Sequence, residues 1–155
     1  LEESPEDEEE RNRELAREYY RLARRLVETE QFHAAHELLR DATRRDPRPE
    51  YFGLLGQVQA RNPNWLRRAV ESYRKAVELA PNSVDLRLGL AMTCERAGYG
   101  TEAKLHYENV LARSAGDPTA QDALRRLRGV RGEGDGGAEK KSKRGFLSRL
   151  FARGA

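Results

Sequence analysis

The chain has 155 residues, 35% charged and 37% hydrophobic, with a formal net charge of +3. That is the length of one domain and too polar for a tight globule, but it suits an elongated repeat architecture with much surface per residue. A single cysteine, Cys94, excludes a disulfide framework and favours a reducing, cytoplasmic setting, and no run reaches the ~20 apolar residues of a membrane span.

The elements are expected as follows. Residues 1–10 hold seven acids and no base and read as an acidic disordered linker that merges into a helix. The chain opens on Leu1 rather than Met, as expected of a piece of a longer protein, and no secretory signal precedes the first helical pattern. From Arg11 to about Thr29, Leu15, Tyr19, Leu22, Ala23, Leu26 and Val27 step by three and four and form one apolar stripe. After a break at Glu30 a second helix, about 31–45, presents Phe32, Ala35, Leu38, Leu39 and Ala42, and Asp46-Pro47-Arg48-Pro49 ends it. A second pair is expected over about 50–61 and 65–80, parted by Asn62-Pro63-Asn64 with Asn64 as N-cap. Ser83 caps the next helix, about 84–97, and Gly98 and Gly100 turn the chain into another, about 101–114. Asp117-Pro118 starts a last helix to about Leu127, with Ala120, Ala123, Leu124 and Leu127 on one face. Residues 129–142, rich in glycine and charge, read as a flexible linker. Residues 143–155 form a basic amphipathic tail with Phe146, Leu147, Leu150 and Phe151 on one face.

A period organises these elements. Ala69, Tyr73, Ala76 and Pro81 stand 34 residues after Ala35, Leu39, Ala42 and Pro47, and 34 before Ala103, Tyr107 and Val110 (for the first three). A further small residue precedes each leading alanine: Ala23, Gly56 and Ala91. Small residues let two antiparallel helices approach, while Leu39, Tyr73 and Tyr107 fill the space between pairs. Each pair leaves an apolar face that only its neighbour can cover, so the copies and a terminal cap depend on one another. The expected architecture is all-α: three helix-turn-helix repeats at about 16–49, 50–83 and 84–117 within residues 11–128, with a capping helix over 117–127.

These residues resemble the tetratricopeptide repeat, in which small residues recur at three set positions and proline at a fourth. The matches are Ala23, Ala35, Ala42 and Pro47, then Gly56, Ala69, Ala76 and Pro81, then Ala91 and Ala103; Val110 and a late Pro118 depart from the pattern in the third copy. The resemblance covers roughly residues 16–118 and implies a right-handed α-solenoid whose first helices line a concave groove for a peptide or partner protein. In that register the groove carries Arg17, Tyr20, Arg24, Gln57, Arg61, Leu88, Met92 and Arg96. Some members of the family clamp a C-terminal carboxylate with lysines and asparagines, but the matching positions here hold Tyr20, Arg24 and Leu54, so that clamp is not reproduced. A fainter resemblance is to the repeat tails of bacterial multidomain proteins, such as those with a J-domain; no His-Pro-Asp motif is present, so no co-chaperone activity follows.

Catalysis is not expected, since no phosphate loop, nucleophile elbow or dinucleotide fingerprint occurs. No cofactor is implied. His33 and His36, three apart on one helix, are the alternative metal ligands, but no cysteine or carboxylate stands at a spacing that completes their site. Cys94 reads as a core residue. The basic tail offers a second alternative, weak contact with an anionic membrane or with nucleic acid; the repeat body has no basic stripe, which argues against nucleic acid. Trp65 is expected to pin the longer loop of the second pair onto the preceding repeat, with a surface anchor for a partner as the alternative.

Overall fold

The computed structural model describes residues 2–129. The expected glycine-rich linker, apart from Gly129, which ends the last helix, and the basic tail with Phe146, Leu147, Leu150 and Phe151 lie outside the described residues. The elements are α1 (Pro5–Glu28), α2 (Phe32–Arg45), α3 (Pro49–Gln59), a 3-10 turn (Pro63–Trp65), α4 (Leu66–Leu79), α5 (Val84–Arg96), α6 (Gly100–Arg113) and a last helix, α7, over 118–129. No strand occurs among the described residues, and no described helix is long and apolar enough to cross a membrane.

Helices α1 and α2, α3 and α4, and α5 and α6 pack as three antiparallel pairs, each pair stacking on the next through α2 against α3 and α4 against α5. The repeat alanines sit at these seams: Ala23, Ala35, Ala42, Ala69, Ala76, Ala91 and Ala103 are all fully buried. Ala23 and Ala35 share a core with Leu39, Leu55 and Val58, which joins the first pair to the second. Ala91 and Ala103 share the largest core with Leu90, Cys94, Tyr107 and Val110, and Ala120, Ala123 and Leu124 of α7 close it. Val110, the departure from the small-residue pattern, is thus accommodated in the core. Pro47 and Pro81 stand exposed in the connections after α2 and α4, where neither costs a helical hydrogen bond.

Helix α1 begins at Pro5 rather than Arg11, so most of the acidic stretch expected as linker is helical. Ser4 and Asp7 form a capping box: Asp7 N–H donates to Ser4 Oγ at 3.1 Å and Ser4 N–H to Asp7 Oδ2 at 3.3 Å. Pro5 takes the first helical position, and Glu6, Asp7 and Glu8 meet the positive end of the helix dipole. The caps of later helices follow expectation at Ser83, which accepts from Leu86 N–H, and at Asp117, which accepts from Ala120 N–H. Asn64 is not the cap of α4. Asn62 instead accepts from Asn64 N–H at 3.0 Å and opens the 3-10 turn, and α4 starts behind Trp65 without a side-chain cap. That turn carries the extra loop residue and lets Trp65 fold back on α2, its ring 4.8 Å from that of His36.

The turns after α1 and α5 are built alike. Gln31 N–H donates to Leu26 O and Tyr99 N–H to Cys94 O, both at 2.8 Å, which closes a Schellman-type stop around one left-handed residue. In the second turn that residue is Gly98 (φ 86°); in the first it is Glu30 (φ 59°), which pays for its Cβ. Glu30→Gly is therefore expected to raise stability by about 1 kcal/mol. Urea denaturation of the two chains checks this; an unchanged or lowered midpoint would show that Glu30 is not strained.

Candidate partner-binding groove

Helices α1, α3 and α5 are the first helices of the pairs, and α3 touches both α1 and α5 directly. Between α3 and α5 lies a hollow of about 300 Å³ lined by Gln57, Ala60, Arg61, Tyr73, Gly89, Met92, Thr93 and Arg96. Its position follows from helical spacing. Gln57, Ala60 and Arg61 fall three and four apart at the end of α3, and Gly89, Met92, Thr93 and Arg96 do the same along α5. Gln57, Arg61, Met92 and Arg96 are exposed on the walls, while Ala60 and Thr93 are buried at the base.

Tyr73 of α4 forms the floor. Its ring is wedged between two helices that carry glycine where they meet it. A Cβ on Gly56 would lie 2.7 Å from Tyr73 Cδ2, and one on Gly89 would lie 2.5 Å from Tyr73 Cε1. Burial raises the phenol's pKa, so it stays protonated at neutral pH. The close contact of Gly56 is therefore with the second helix of its own pair, one turn after Ala69. Because the ring is bounded on its Cδ2–Cε2 side by Gly56 and on its Cδ1–Cε1 side by Gly89, Gly89→Ala cannot be absorbed by a small shift away. We expect overpacking of about 1–3 kcal/mol, less the ~1 kcal/mol that alanine gains in a helix interior, for a net loss of up to about 2 kcal/mol by urea denaturation. With Tyr73→Leu in the background the overpacking disappears and Gly89→Ala should stabilise instead; the same Gly89→Ala effect in both backgrounds would contradict the wedge.

The other sequence-predicted groove residues are placed differently. Tyr20 is half-buried with its ring 4.8 Å from Tyr51, so much of it serves the α1–α3 contact. Arg24 is exposed with its guanidinium 5.9 Å from the Tyr20 ring. Arg17 lies at a separate shallow hollow on α1 with Arg11, Glu14, Leu15, Glu18 and Arg21. Leu88 is half-buried and packs on the main core. Arg61 extends toward the first repeat, 4.4 Å from the ring of Phe32, a cation–π distance that orients it without neutralising it.

The arginines divide into those committed to ion pairs and those, Arg21, Arg25, Arg67 and Arg68 included, that are in none among the described residues. Among the described residues, Arg13, Arg40, Arg44, Arg48, Arg74, Arg125 and Arg126 all pair with carboxylates. Arg24, Arg61 and Arg96 appear in none of the ion pairs among those residues. The hollow thus offers two guanidiniums, an amide and a thioether over an aromatic floor. Bidentate donors of this kind suit carboxylates, and Met92, 45% exposed, suits an apolar side chain.

Tyr73, Gly89 and Thr93 were missed as groove residues from the sequence. Tyr73 belongs to a second helix, which the repeat register assigns to the interior. The available signal was Gly89, a glycine in mid-helix, which weakens the helix unless something needs the space. His33 and His36 do not share an exposed face: His33 is exposed, whereas His36 is 4% exposed, lies against Trp65 and has Nδ1 3.1 Å from Glu37 Oε1. A further hollow of about 430 Å³ lies between α6 and α7, lined by Gly100, Thr101, Lys104, Leu105, Glu108, Leu127 and Arg128.

Residues 20–67 match the family model for the tetratricopeptide repeat. The fold is similar to that of the Arabidopsis OM64 TPR domain, with a TM-score of 0.70 at 18% identity over 76% of this chain and 97% of that one. It is similar to the first TPR domain of Spaghetti (RPAP3) bound to the HSP90 peptide SRMEEVD, with a TM-score of 0.71 at 17% identity over 76% and 94%. It is also similar to the Yersinia enterocolitica type III secretion chaperone SycD in complex with a peptide of the translocator YopD, with a TM-score of 0.67 at 15% identity over 74% and 93%. No curated protein matches the sequence.

Proposed function

We propose that the chain is a tetratricopeptide-repeat scaffold that binds a protein or peptide partner in its concave groove, without catalysis. The observation that carries the reading is the hollow between α3 and α5, where Arg61 and Arg96 stand beside Met92 and Gln57 over the Tyr73 ring. Two of the similar structures hold peptides, one of HSP90 and one of YopD; those are properties of those proteins, and they support a peptide as the ligand class here. The chemistry of this groove favours an extended or helical peptide that presents acidic side chains next to apolar ones. Arg24, exposed on α1, extends the basic lining toward the first repeat. A cytoplasmic location belongs to the same reading and is supported by Cys94, the one cysteine, held as a buried free thiol.

The reading is tested by panning a displayed random-peptide library on the parent chain and on an Arg24→Glu/Arg61→Glu/Arg96→Glu chain. All three side chains are exposed, so the fold should survive. The parent should enrich peptides with acidic residues beside apolar ones, and the variant should lose them. A charge-assisted hydrogen bond contributes about 1.5–3 kcal/mol, so each lost guanidinium contact weakens binding by roughly tenfold or more. Equal enrichment on both chains would sink the groove assignment.

A further inference from the structure

We propose that Cys94, Glu102 and His106 form a binding site for a thiophilic divalent cation, zinc by its ligand chemistry, on the seam between α5 and α6. One ligand atom from each residue (thiol sulfur, carboxylate oxygen and imidazole nitrogen) lies within 4.8 Å of the other two. The site is unrelated to the groove and does not rest on its assignment.

The geometry arises from the hairpin. Glu102 and His106 are one turn apart on α6, and His106 Nε2 stands 3.5 Å from Glu102 Oε1. Cys94 comes from the facing helix, brought across by the Gly98 turn, and is fully buried. In a tetrahedral zinc site with ordinary bond lengths the ligand atoms stand about 3.3–3.8 Å apart; the His106–Glu102 pair is already within that range, and a pair at the outer limit must close by about 1 Å. His106, half-buried on α6, makes most of that adjustment, because Glu102 is held by Arg74. Glu102 also lines a surface hollow with Arg74, Gly98, Tyr99, Gly100 and Thr101, which gives an ion a path from solvent to the carboxylate. Three protein ligands of nitrogen, sulfur and oxygen leave a fourth position for water. The thiolate selects zinc or cobalt over magnesium and calcium.

The charges around the site are consistent with this. Arg74 already holds Glu102, Nη2 to Oε2 at 2.6 Å and Nε to Oε1 at 3.0 Å, and this keeps the carboxyl below the usual carboxylate range. A carboxylate has about four lone-pair sites, so Oε1 can take the ion while Arg74 orients the group through Oε2. Burial holds His106 below the usual imidazole value of 6.5, so near neutral pH its ring is uncharged and has a lone pair to give. Burial pushes the Cys94 thiol up to about 11, so it enters as S–H. On binding, the S–H bond breaks, a sulfur–metal bond forms and the proton passes to solvent buffer. The guanidiniums of Arg74 and Arg87, which both act on His106, oppose the incoming cation, and the new thiolate offsets one of its charges.

Cobalt(II) added to the full, untagged chain is the probe. We expect one ion per chain, a sulfur-to-cobalt charge-transfer band that can come only from Cys94, displacement by zinc, and release of about one proton measured by calorimetry in two buffers of different ionisation heat. His106→Gln and Glu102→Gln should each weaken binding on the order of tenfold or more, with helical circular dichroism verifying the fold, while His33→Ala should change nothing. If either variant fails to fold, the parent's charge-transfer band and proton count still decide. No charge-transfer band at saturating cobalt, or a band equally strong in folded His106→Gln and Glu102→Gln chains, overturns the proposal.

Discussion

Removing α7 is expected to cost roughly 3–6 kcal/mol. The clean comparison is between a chain ending at 129 and one ending at 116, because the difference then isolates this helix. Ala120 and Ala123 are fully buried, Leu124 is 5% exposed, and all three belong to the core that also holds Leu90, Tyr107 and Val110. Leu127 packs on the edge of that core. Truncation therefore loses two leucine side chains and opens the apolar face of the third pair to water. A domain of this size is stable by about 5–15 kcal/mol in total, so the shorter chain should melt far below the longer one or fail to fold cooperatively. Thermal unfolding followed by circular dichroism checks it. Equal melting temperatures would mean that the third pair needs no cap.

Tyr107→Ala is expected to cost about 3–5 kcal/mol, the range for removing a large buried ring. Tyr107 is 1% exposed, the largest fully buried side chain among the described residues, and stands where the second helix of the third repeat meets α7. Its hydroxyl donates to Glu95 Oε2 at 2.7 Å, and Arg126 of α7 reaches Glu95 Oε1 at 3.2 Å. Tyr107→Phe keeps the ring and loses only the hydroxyl's bond to a carboxylate that Arg126 still serves, so it should cost about 1 kcal/mol. The two perturbations share the same core, so they should not add. In the chain ending at 116, Tyr107→Ala should cost visibly less than in the chain ending at 129. Full additivity in that cycle would show that the ring and the cap are independent.

The repeat architecture was legible because its determinants are local in period and type. Alanines at Ala35, Ala69 and Ala103, with Leu39, Tyr73 and Tyr107 four residues on, specify both the helix pairs and how they stack, whatever occupies the surface. The start of α1 was less legible: the acids of residues 2–10 suggested solvated linker, whereas Ser4 and Asp7 make them the first turns of a helix. The walls of the groove were partly legible, since Gln57, Arg61, Met92 and Arg96 follow from register alone. The floor was not, because Tyr73 reaches it only through the space that Gly56 and Gly89 leave. Tyr20 was placed in the groove by the same register, yet its ring packs against Tyr51, a contact between helices that no local spacing reveals. Cys94 stands eight residues before Glu102 and twelve before His106, a spacing with no meaning until the α5–α6 hairpin closes.

The central claim, that a partner lies in the groove between the first helices, is tested most directly by mapping amide chemical-shift changes as a library-selected peptide is titrated into the isotope-labelled chain. The account predicts that the largest changes fall at Gln57, Arg61, Gly89, Met92 and Arg96, that they shrink as salt rises because guanidinium–carboxylate pairs are screened, and that they vanish in the Arg24→Glu/Arg61→Glu/Arg96→Glu chain. Changes centred instead on Thr101, Lys104, Leu105 and Glu108, at the hollow between α6 and α7, would contradict it.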